Sequence, residues 1–328
     1  MKKILITGGA GFIGAHVVKY FVKKYPNDQI INLDCLTYAA EPKNLEEIES
    51  YENYKFLKIN INDAKAIDIV FKNHGITHVI HLAAESHVDR SIKNSIDFAL
   101  TNVIGTVNLL NAAKDNWSDE IGRLFYHIST DEVYGSLGLK GSFKESTKYD
   151  PKSPYSASKA SSDHFVRSYN TTHNLPTVIS NCSNNYGPYQ NEEKFIPTVI
   201  KSLIDRKPIP IYGKGKNIRD WLYVDDHILG IEKIFNHGII GETYNIGGGY
   251  EISNLELVYK IIDIYEYMYP SDFNHKELIS FVDDRKGHDF RYSINSSKIQ
   301  TKLGWSPKTK FDDGIQKTIK WFSEKNKY

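Results

Sequence analysis

The chain has 328 residues, enough for two lobes or one large α/β unit. Its 41 basic and 40 acidic residues nearly cancel, so no overall field favours nucleic acid or an anionic membrane. The two cysteines, Cys35 and Cys182, make no disulfide framework and fit a reducing compartment.

No apolar run approaches the roughly 18 residues of a membrane span. The apolar run at 4–6 behind Met1 is too short for a signal-peptide core. The expectation is a soluble, cytoplasmic protein.

In chain order, Lys3–Thr7 is a short apolar strand pattern and Phe12–Lys24 carries apolar residues at helical spacing. Buried-type strands follow at 29–33, 54–59 and 78–82. A long amphipathic helix is predicted over 97–114, a fifth strand over 124–129 and a helix over 157–173. Alternation of this kind predicts a doubly wound parallel sheet with helices on both faces.

Ligands in such sheets sit beyond the carboxyl ends of the strands. Gly8, Asp34, residues 83–86 and Thr130 all follow predicted strand ends.

After Asn181 the texture changes. Residues 184–188 are turn-forming, 194–205 read as helix and 208–212 as extended chain. Residues 244–249 read as a strand running into a glycine-rich turn, and 255–267 as helix. The division predicted is a first domain over 1–181 and a smaller α+β lobe over 182–328, partly interleaved with it. No internal repeat or low-complexity linker is visible.

The segment TGGAGFIG (7–14) joins the first strand to the first helix and spaces Gly8, Gly11 and Gly14 as G-x-x-G-x-x-G. Glycine lets backbone approach a pyrophosphate closely, and the helix N-terminus offers free N–H groups. Such a loop alone is weak evidence, since ordinary strand–helix turns also use glycine. Here Asp34 stands twenty residues beyond Gly14 at the next strand end, where a carboxylate accepts from a ribose hydroxyl and repels a 2′-phosphate. The cofactor expected is NAD rather than NADP.

Tyr155 and Lys159 lie four apart, on one face of a helix. An ammonium near a phenol favours the phenolate, which can take a proton from a sugar hydroxyl during hydride transfer. Alone, the pair could be a surface contact. Beside the glycine loop it reads as a hydride-transfer device. Asp131 and Glu132, directly after Thr130, add two carboxylic acids that simple dehydrogenation does not need. They suggest two further proton transfers, a dehydration driven by transient oxidation.

Six runs carry a resemblance that extends nearly end to end: LAAESHVDRSI (82–92), HISTDEVYG (127–135), SPYSASKASSD (153–163), NCSNNYGPY (181–189), NIRDWLYVDDH (217–227) and DRKGHD (284–289). The chain resembles the extended short-chain dehydrogenase/reductases and, among them, the dTDP-glucose 4,6-dehydratase family. The Thr130-Asp131-Glu132 triplet discriminates most, because related sugar-nucleotide epimerases generally show a different pair after the Ser or Thr.

The resemblance implies a Rossmann-type fold, a homodimer with a helical interface including 97–114 and 157–173, and a nucleotide-sugar substrate. It implies oxidation at carbon 4, elimination of water across carbons 5 and 6 and hydride return to carbon 6, giving a 4-keto-6-deoxy sugar for deoxysugars such as rhamnose. Glu132 would be the base at carbon 5 and Asp131 the acid at the 6-hydroxyl. Thr130 would bond the 4-hydroxyl, and Tyr155 and Lys159 would serve the oxidation.

Cofactor positions implied are Gly8, Gly11, Phe12, Ile13, Gly14, Asp34, Cys35, Leu36, Thr37, Asn60, Ile61, Leu82, Ala83, Ala84, Ser86, Thr101, Tyr155, Lys159 and Asn185. Substrate positions implied are Ser86, Thr130, Asn184, Lys194, Phe195, Pro210, Ile211, Tyr212, Arg219, Asn254, Asp284, Arg285, Gly287 and His288, with Arg219 and Arg285 as forked phosphate donors.

Three positions depart from the family pattern: Asn60 for Asp, Cys35 for Lys and Lys286 for Pro. His78 and His81 lie on a strand pattern, so no metal site is expected. Trp221 and Tyr223 read as core. UDP- or CDP-glucose dehydration, 4-epimerisation and a non-catalytic NAD-sensing module are the competing readings.

Overall fold

The computed structural model describes residues 1–119 and 121–325; residues 326–328 of the predicted second lobe lie outside the described residues. The first half runs β1 (Lys3–Thr7), α1 (Phe12–Lys24), β2 (Gln29–Asp34), β3 (Tyr54–Lys58), α2 (Ala64–His74), β4 (His78–His81), α3 (Val88–Lys93), α4 (Ser95–Phe98), α5 (Thr106–Asn116), β5 (Leu124–Thr130), α6 (Pro154–His173) and β6 (Thr177–Cys182). The remainder runs β7 (Asn184–Tyr186), α7 (Phe195–Asp205), β8 (Ile209–Tyr212), β9 (Ile218–Tyr223), α8 (Val224–His237), β10 (Thr243–Ile246), β11 (Glu251–Ser253), α9 (Asn254–Met268), β12 (Ile279–Val282), α10 (Ser297–Leu303) and α11 (Phe311–Lys325).

Among the described residues, one seven-stranded sheet has the order β10-β6-β5-β4-β1-β2-β3, with every neighbouring pair parallel. This is the Rossmann-type α/β fold expected. Its strands are apolar on both faces because both are covered. Ile4 and Ile6 enter one core while Leu5 enters the other, and Phe125 opposes Tyr126 and Ile128 in the same way. Each such fully buried side chain contributes roughly 1.5–3 kcal/mol. The strand order reverses between β1 and β4, which opens a crevice at their carboxyl ends.

Residues beyond 182 divide between two cores. The faces of α7, α9 and α11 close a second core over Tyr186, Trp221 and Tyr223. Meanwhile β10, α8 and α10 return to the large sheet, with Ile228, Ile231, Tyr244, Ile246 and Ile299 in its first core.

Two local expectations are corrected. The helix predicted over 97–114 is not uniform: a π-helical segment, Ala99–Gly105, joins α4 to α5. The hydroxyl of Thr106 donates to the Asn102 carbonyl at 2.6 Å and so takes up a backbone acceptor. The run 184–188, predicted as a turn, begins as β7, which pairs with β9. Tyr186 drives this by burying its ring in the second core, and the turn starts only at Gly187.

Candidate active site

The crevice at the β1–β4 reversal holds a cavity of ≈ 340 Å³. Gly8, Gly11, Phe12, Ile13 and Gly14 form its floor at the N-terminus of α1, where Gly11 is the N-cap and makes no side-chain cap bond. The first amides of that helix therefore remain available to an anion. Glycine is required here: a Cβ on Gly14 would lie 2.0 Å from the Gly8 carbonyl oxygen, and Gly8 has φ +73. Asp34 ends β2 and accepts from the amides of Ala10 (3.0 Å) and Leu36 (2.8 Å), which fixes its carboxylate at the cavity.

Cys35, Thr37, Asn60, Ile61, Leu82, Ala83, Ala84, Ser86, Thr101, Tyr155, Lys159 and Asn185 also line the cavity. The π-helical segment carries Thr101 to it. Leu36 does not line it; its side chain packs on the first core. A glycine cradle, a carboxylate at the end of the next strand and an apolar wall in one cavity suit a dinucleotide.

At the other end of the cavity stand Thr130, Glu132, Tyr155, Lys159, Asn184 and Lys194. Thr130 ends β5, and its hydroxyl caps the following short 3-10 turn by accepting from the Glu132 amide at 3.3 Å. Tyr155 and Lys159 lie in the first turns of α6. That helix starts firmly because Pro154 occupies its first turn and Ser153 and Ser156 form a reciprocal capping box.

The two carboxyls of the turn differ. Asp131 is 2% exposed and one of its oxygens has no partner. Burial, then Glu132 and Asp220, push its carboxyl well above the usual range, which favours the neutral acid. Glu132 is half-buried. Burial, the largest influence, leaves its carboxyl above the ordinary range as well, while Arg285, Arg219 and Lys194 oppose that rise in part.

Tyr155 departs from expectation. Burial, then Glu132, raises its hydroxyl well above the ordinary phenol. The Lys159 ammonium one turn away donates to the Ile128 carbonyl at 2.8 Å and does not outweigh these two effects.

The second lobe contributes charge from one side. Arg219 donates to the carbonyls of Ile218 (2.8 Å), Asp289 (3.0 Å) and Phe290 (3.4 Å), and its guanidinium lies 4.2 Å over the Tyr292 ring. Arg285 stands 3.8 Å from Asp89, which also accepts from Tyr212 at 3.3 Å. His288 bonds Asp284 at 2.7 Å.

Arg219 is therefore held by backbone carbonyls, whereas Arg285 makes an ion pair with the partly exposed Asp89. Phe195 and Ile211 instead pack in the second core, and neither Asp131 nor any of Pro210, Tyr212, Arg219, Asn254, Asp284, Arg285, Gly287 and His288 lines the cavity. Ile211 is fully buried, so its side chain is structural.

The sequence reading omitted Cys182, Ser183, Gln190, Asn191 and Glu193, which line the cavity between β6 and α7. It also omitted a strap across the mouth. Tyr38 donates to Glu85 at 3.0 Å, Arg90 lies 3.6 Å over the Tyr38 ring, and Arg90 reaches Glu193 at 3.1 Å. Lys194 adds a bond to the Ser86 carbonyl at 2.9 Å.

His81 is satisfied by Thr7 and Thr106. Among the described residues, no group of three or more His, Cys, Asp or Glu is placed to hold a metal, and no helix is long and apolar enough to cross a membrane.

Known proteins resemble this chain over nearly its whole length. The dTDP-glucose 4,6-dehydratase of Escherichia coli is 48% identical over 98% of this chain and 92% of its own length. The dTDP-glucose 4,6-dehydratase of Streptomyces venezuelae, solved with NAD bound, is 42% identical with a TM-score of 0.92, covering 99% of this chain and 98% of its own. A UDP-glucose 4-epimerase from Thermotoga maritima shares the fold at 27% identity and a TM-score of 0.88, covering 99% of both chains, so fold alone does not separate the two activities. Residues 5–318 match the GDP-mannose 4,6 dehydratase family model, and the chain belongs to that family.

Proposed function

We propose that this chain is an NAD-dependent dTDP-glucose 4,6-dehydratase, a hydro-lyase that converts its substrate to the 4-keto-6-deoxy sugar nucleotide. The observation that carries the reading is the Asp131–Glu132 pair: a sealed acid and a cation-ringed carboxylate on one turn, beside Tyr155 and Lys159. Epimerisation needs neither carboxyl. The thymidine base follows from the relatives named above.

Gly8, Gly11, Gly14 and Asp34 hold NAD, and the chemistry it supplies when bound is a reversible hydride store, filled from carbon 4 and emptied onto carbon 6. Thr130 and Tyr155 meet the 4-hydroxyl, and Tyr155 takes its proton as the ketone forms. The ketone acidifies carbon 5, and Glu132 removes that proton. Asp131 gives its proton to the 6-hydroxyl, the carbon–oxygen bond breaks and water leaves; as hydride returns to carbon 6, Glu132 gives its proton back to carbon 5, which completes the 4-keto-6-deoxy sugar. Opposite tasks require one carboxyl ionised and one neutral; both are raised by burial, and only Glu132 has three cations opposing the rise. Arg219, Arg285 and Lys194 receive the anionic part of the substrate.

The chain works as a homodimer. Ile92, Ile96, Leu100 and Ile104 recur every four residues and are each more than two-fifths exposed, with Phe165 of α6 exposed nearby. Such a contiguous apolar face is an association surface. An Ile96→Glu, Leu100→Glu double variant is expected to run as a monomer in light scattering.

The deciding experiment presents dTDP-, UDP-, CDP- and GDP-glucose to the purified protein and follows the alkali-dependent absorbance of a 4-keto-6-deoxy sugar. Turnover best on dTDP-glucose is expected. Interconversion of glucose and galactose configurations without that absorbance would make it an epimerase. Bound NAD with no turnover on any sugar would leave a sensing module.

A further inference from the structure

Asp163 is fully buried, yet the chemistry described so far gives it no task. Its carboxylate accepts from His127 Nε2 at 3.1 Å, Ser129 Oγ at 2.8 Å and Tyr149 OH at 2.8 Å. His127 and Ser129 flank Ile128 on β5, and the Ile128 carbonyl receives Lys159. Lys159 and Asp163 lie one turn apart on α6, so between them they grip three consecutive residues of β5. The next residues of β5 lead into the Thr130-Asp131-Glu132 turn. One turn back along α6 stands Tyr155. The grip therefore fixes the distance between the two halves of the catalytic apparatus.

We infer that Asp163 is a positioning residue: it clamps α6 to β5 and supplies the buried counter-charge that keeps Lys159 an ammonium one turn from Tyr155. The inference rests on the dehydratase reading above. A buried carboxylate with no compensating cation is costly. His127 does not compensate it, because burial and Lys159 hold that imidazole down to about 4 and neutral. Arg167 meets Tyr149 OH at 2.7 Å and Thr243 at 3.3 Å, so it reaches Asp163 only through the Tyr149 hydroxyl.

The titratable groups facing Lys159 are few. Tyr155 and Asp163 share its helix, His127 comes from β5, His81 from β4 and Cys182 from β6. The π-helical segment packed on α6 presents Asn102, which bonds Ser158 at 2.8 Å and carries no charge. The Cys182 thiol is pushed up to about 12 and stays neutral, and both imidazoles are neutral. Burial lowers the Lys159 ammonium, and Asp163 is the carboxylate that opposes this in part. A neutral amine at Lys159 could not favour the Tyr155 phenolate in the oxidation step.

The test is single turnover on dTDP-glucose, reading the rate of reduced-nicotinamide absorbance against pH for the wild type, Asp163→Asn and Tyr149→Phe. Removing the negative charge disfavours the ammonium. Asp163→Asn is therefore expected to move the alkaline limb of the profile to lower pH and to cut the plateau rate at least tenfold. Tyr149→Phe removes one hydrogen bond to Asp163 without changing its charge, and its limb should stay with the wild type.

A folded Asp163→Asn variant with an unmoved limb overturns the inference while the dehydratase reading stands. A wild type that never forms the reduced nicotinamide strikes the dehydratase reading instead. Should Asp163→Asn fail to fold, recovery of folding in the Lys159→Met, Asp163→Asn double variant supports the charge pairing. Failure of that double variant as well would reduce Asp163 to a packing residue.

Discussion

Asp131 and Glu132 are adjacent in the chain but face opposite electrostatic settings. Asp131 is sealed with Asp220 and Glu132 as its neighbouring charges, whereas Glu132 is met by Arg285, Arg219 and Lys194. On a shared turn, the cations beside Glu132 thus favour its carboxylate relative to that of Asp131, whose neighbouring carboxyls favour the neutral acid.

These two residues should therefore fail at different points. Glu132→Gln is expected to oxidise carbon 4 and then stall, with reduced-nicotinamide absorbance persisting and no deuterium entering carbon 5 in deuterated water. Asp131→Asn should still exchange carbon 5 while elimination slows by roughly 10²–10⁴-fold, the scale of one general acid. Single turnover in deuterated water reads both, and the opposite pattern would reverse the assignments.

Tyr155→Phe should lose the oxidation itself. The ring fills the same buried place, so NAD affinity measured by calorimetry is expected to stay near the wild-type value while turnover falls by more than roughly 10²-fold. Near-normal turnover would remove Tyr155 from the mechanism.

Asp34→Ala removes the acceptor of two loop amides as well as the ribose partner. Weaker NAD binding and a smaller preference over NADP are expected from dissociation constants for each. Equal loss for both cofactors would mean that Asp34 only shapes the loop.

Asp220 gives a pH signature of stability. Burial raises its carboxyl from 3.8 to about 6. The folded state thus holds a proton that the unfolded chain releases first, and this group's stabilising contribution is complete below pH ~3.8 and lost as pH rises through ~6. Asp220→Asn keeps the acceptor for the Tyr250 amide. Relative to wild type, it should gain on the order of 3 kcal/mol at pH 8 compared with pH 3.5. Denaturant midpoints at the two pH values measure it. An unchanged difference would mean that Asp220 is ionised at pH 5.

Much of the large sheet was legible because its strands are local apolar runs ended by glycine, Asp34 or Thr130. The motif residues around Tyr155 were equally plain, since four residues is one helical turn. What stayed hidden depends on pairing between distant segments. Nothing in 243–246 announces that it pairs with β6 rather than with the second lobe. Asp163 reads in sequence as a surface charge on α6 until the register of β5 puts His127 and Ser129 against it. The lowered Tyr155 phenol expected from helix spacing also missed that Lys159 is turned onto a backbone carbonyl.

The placement of β10 at the edge of the large sheet has a consequence for the order in which the chain is made. Until residues 243–246 leave the ribosome, β6 presents an open strand edge, the kind that recruits foreign strands. The core beside it also waits for Ile299 and Trp305. The nucleotide-binding half is therefore finished only when most of the other half has been synthesised. A fragment ending at 181 would be an aggregation-prone intermediate rather than a separable cofactor-binding unit.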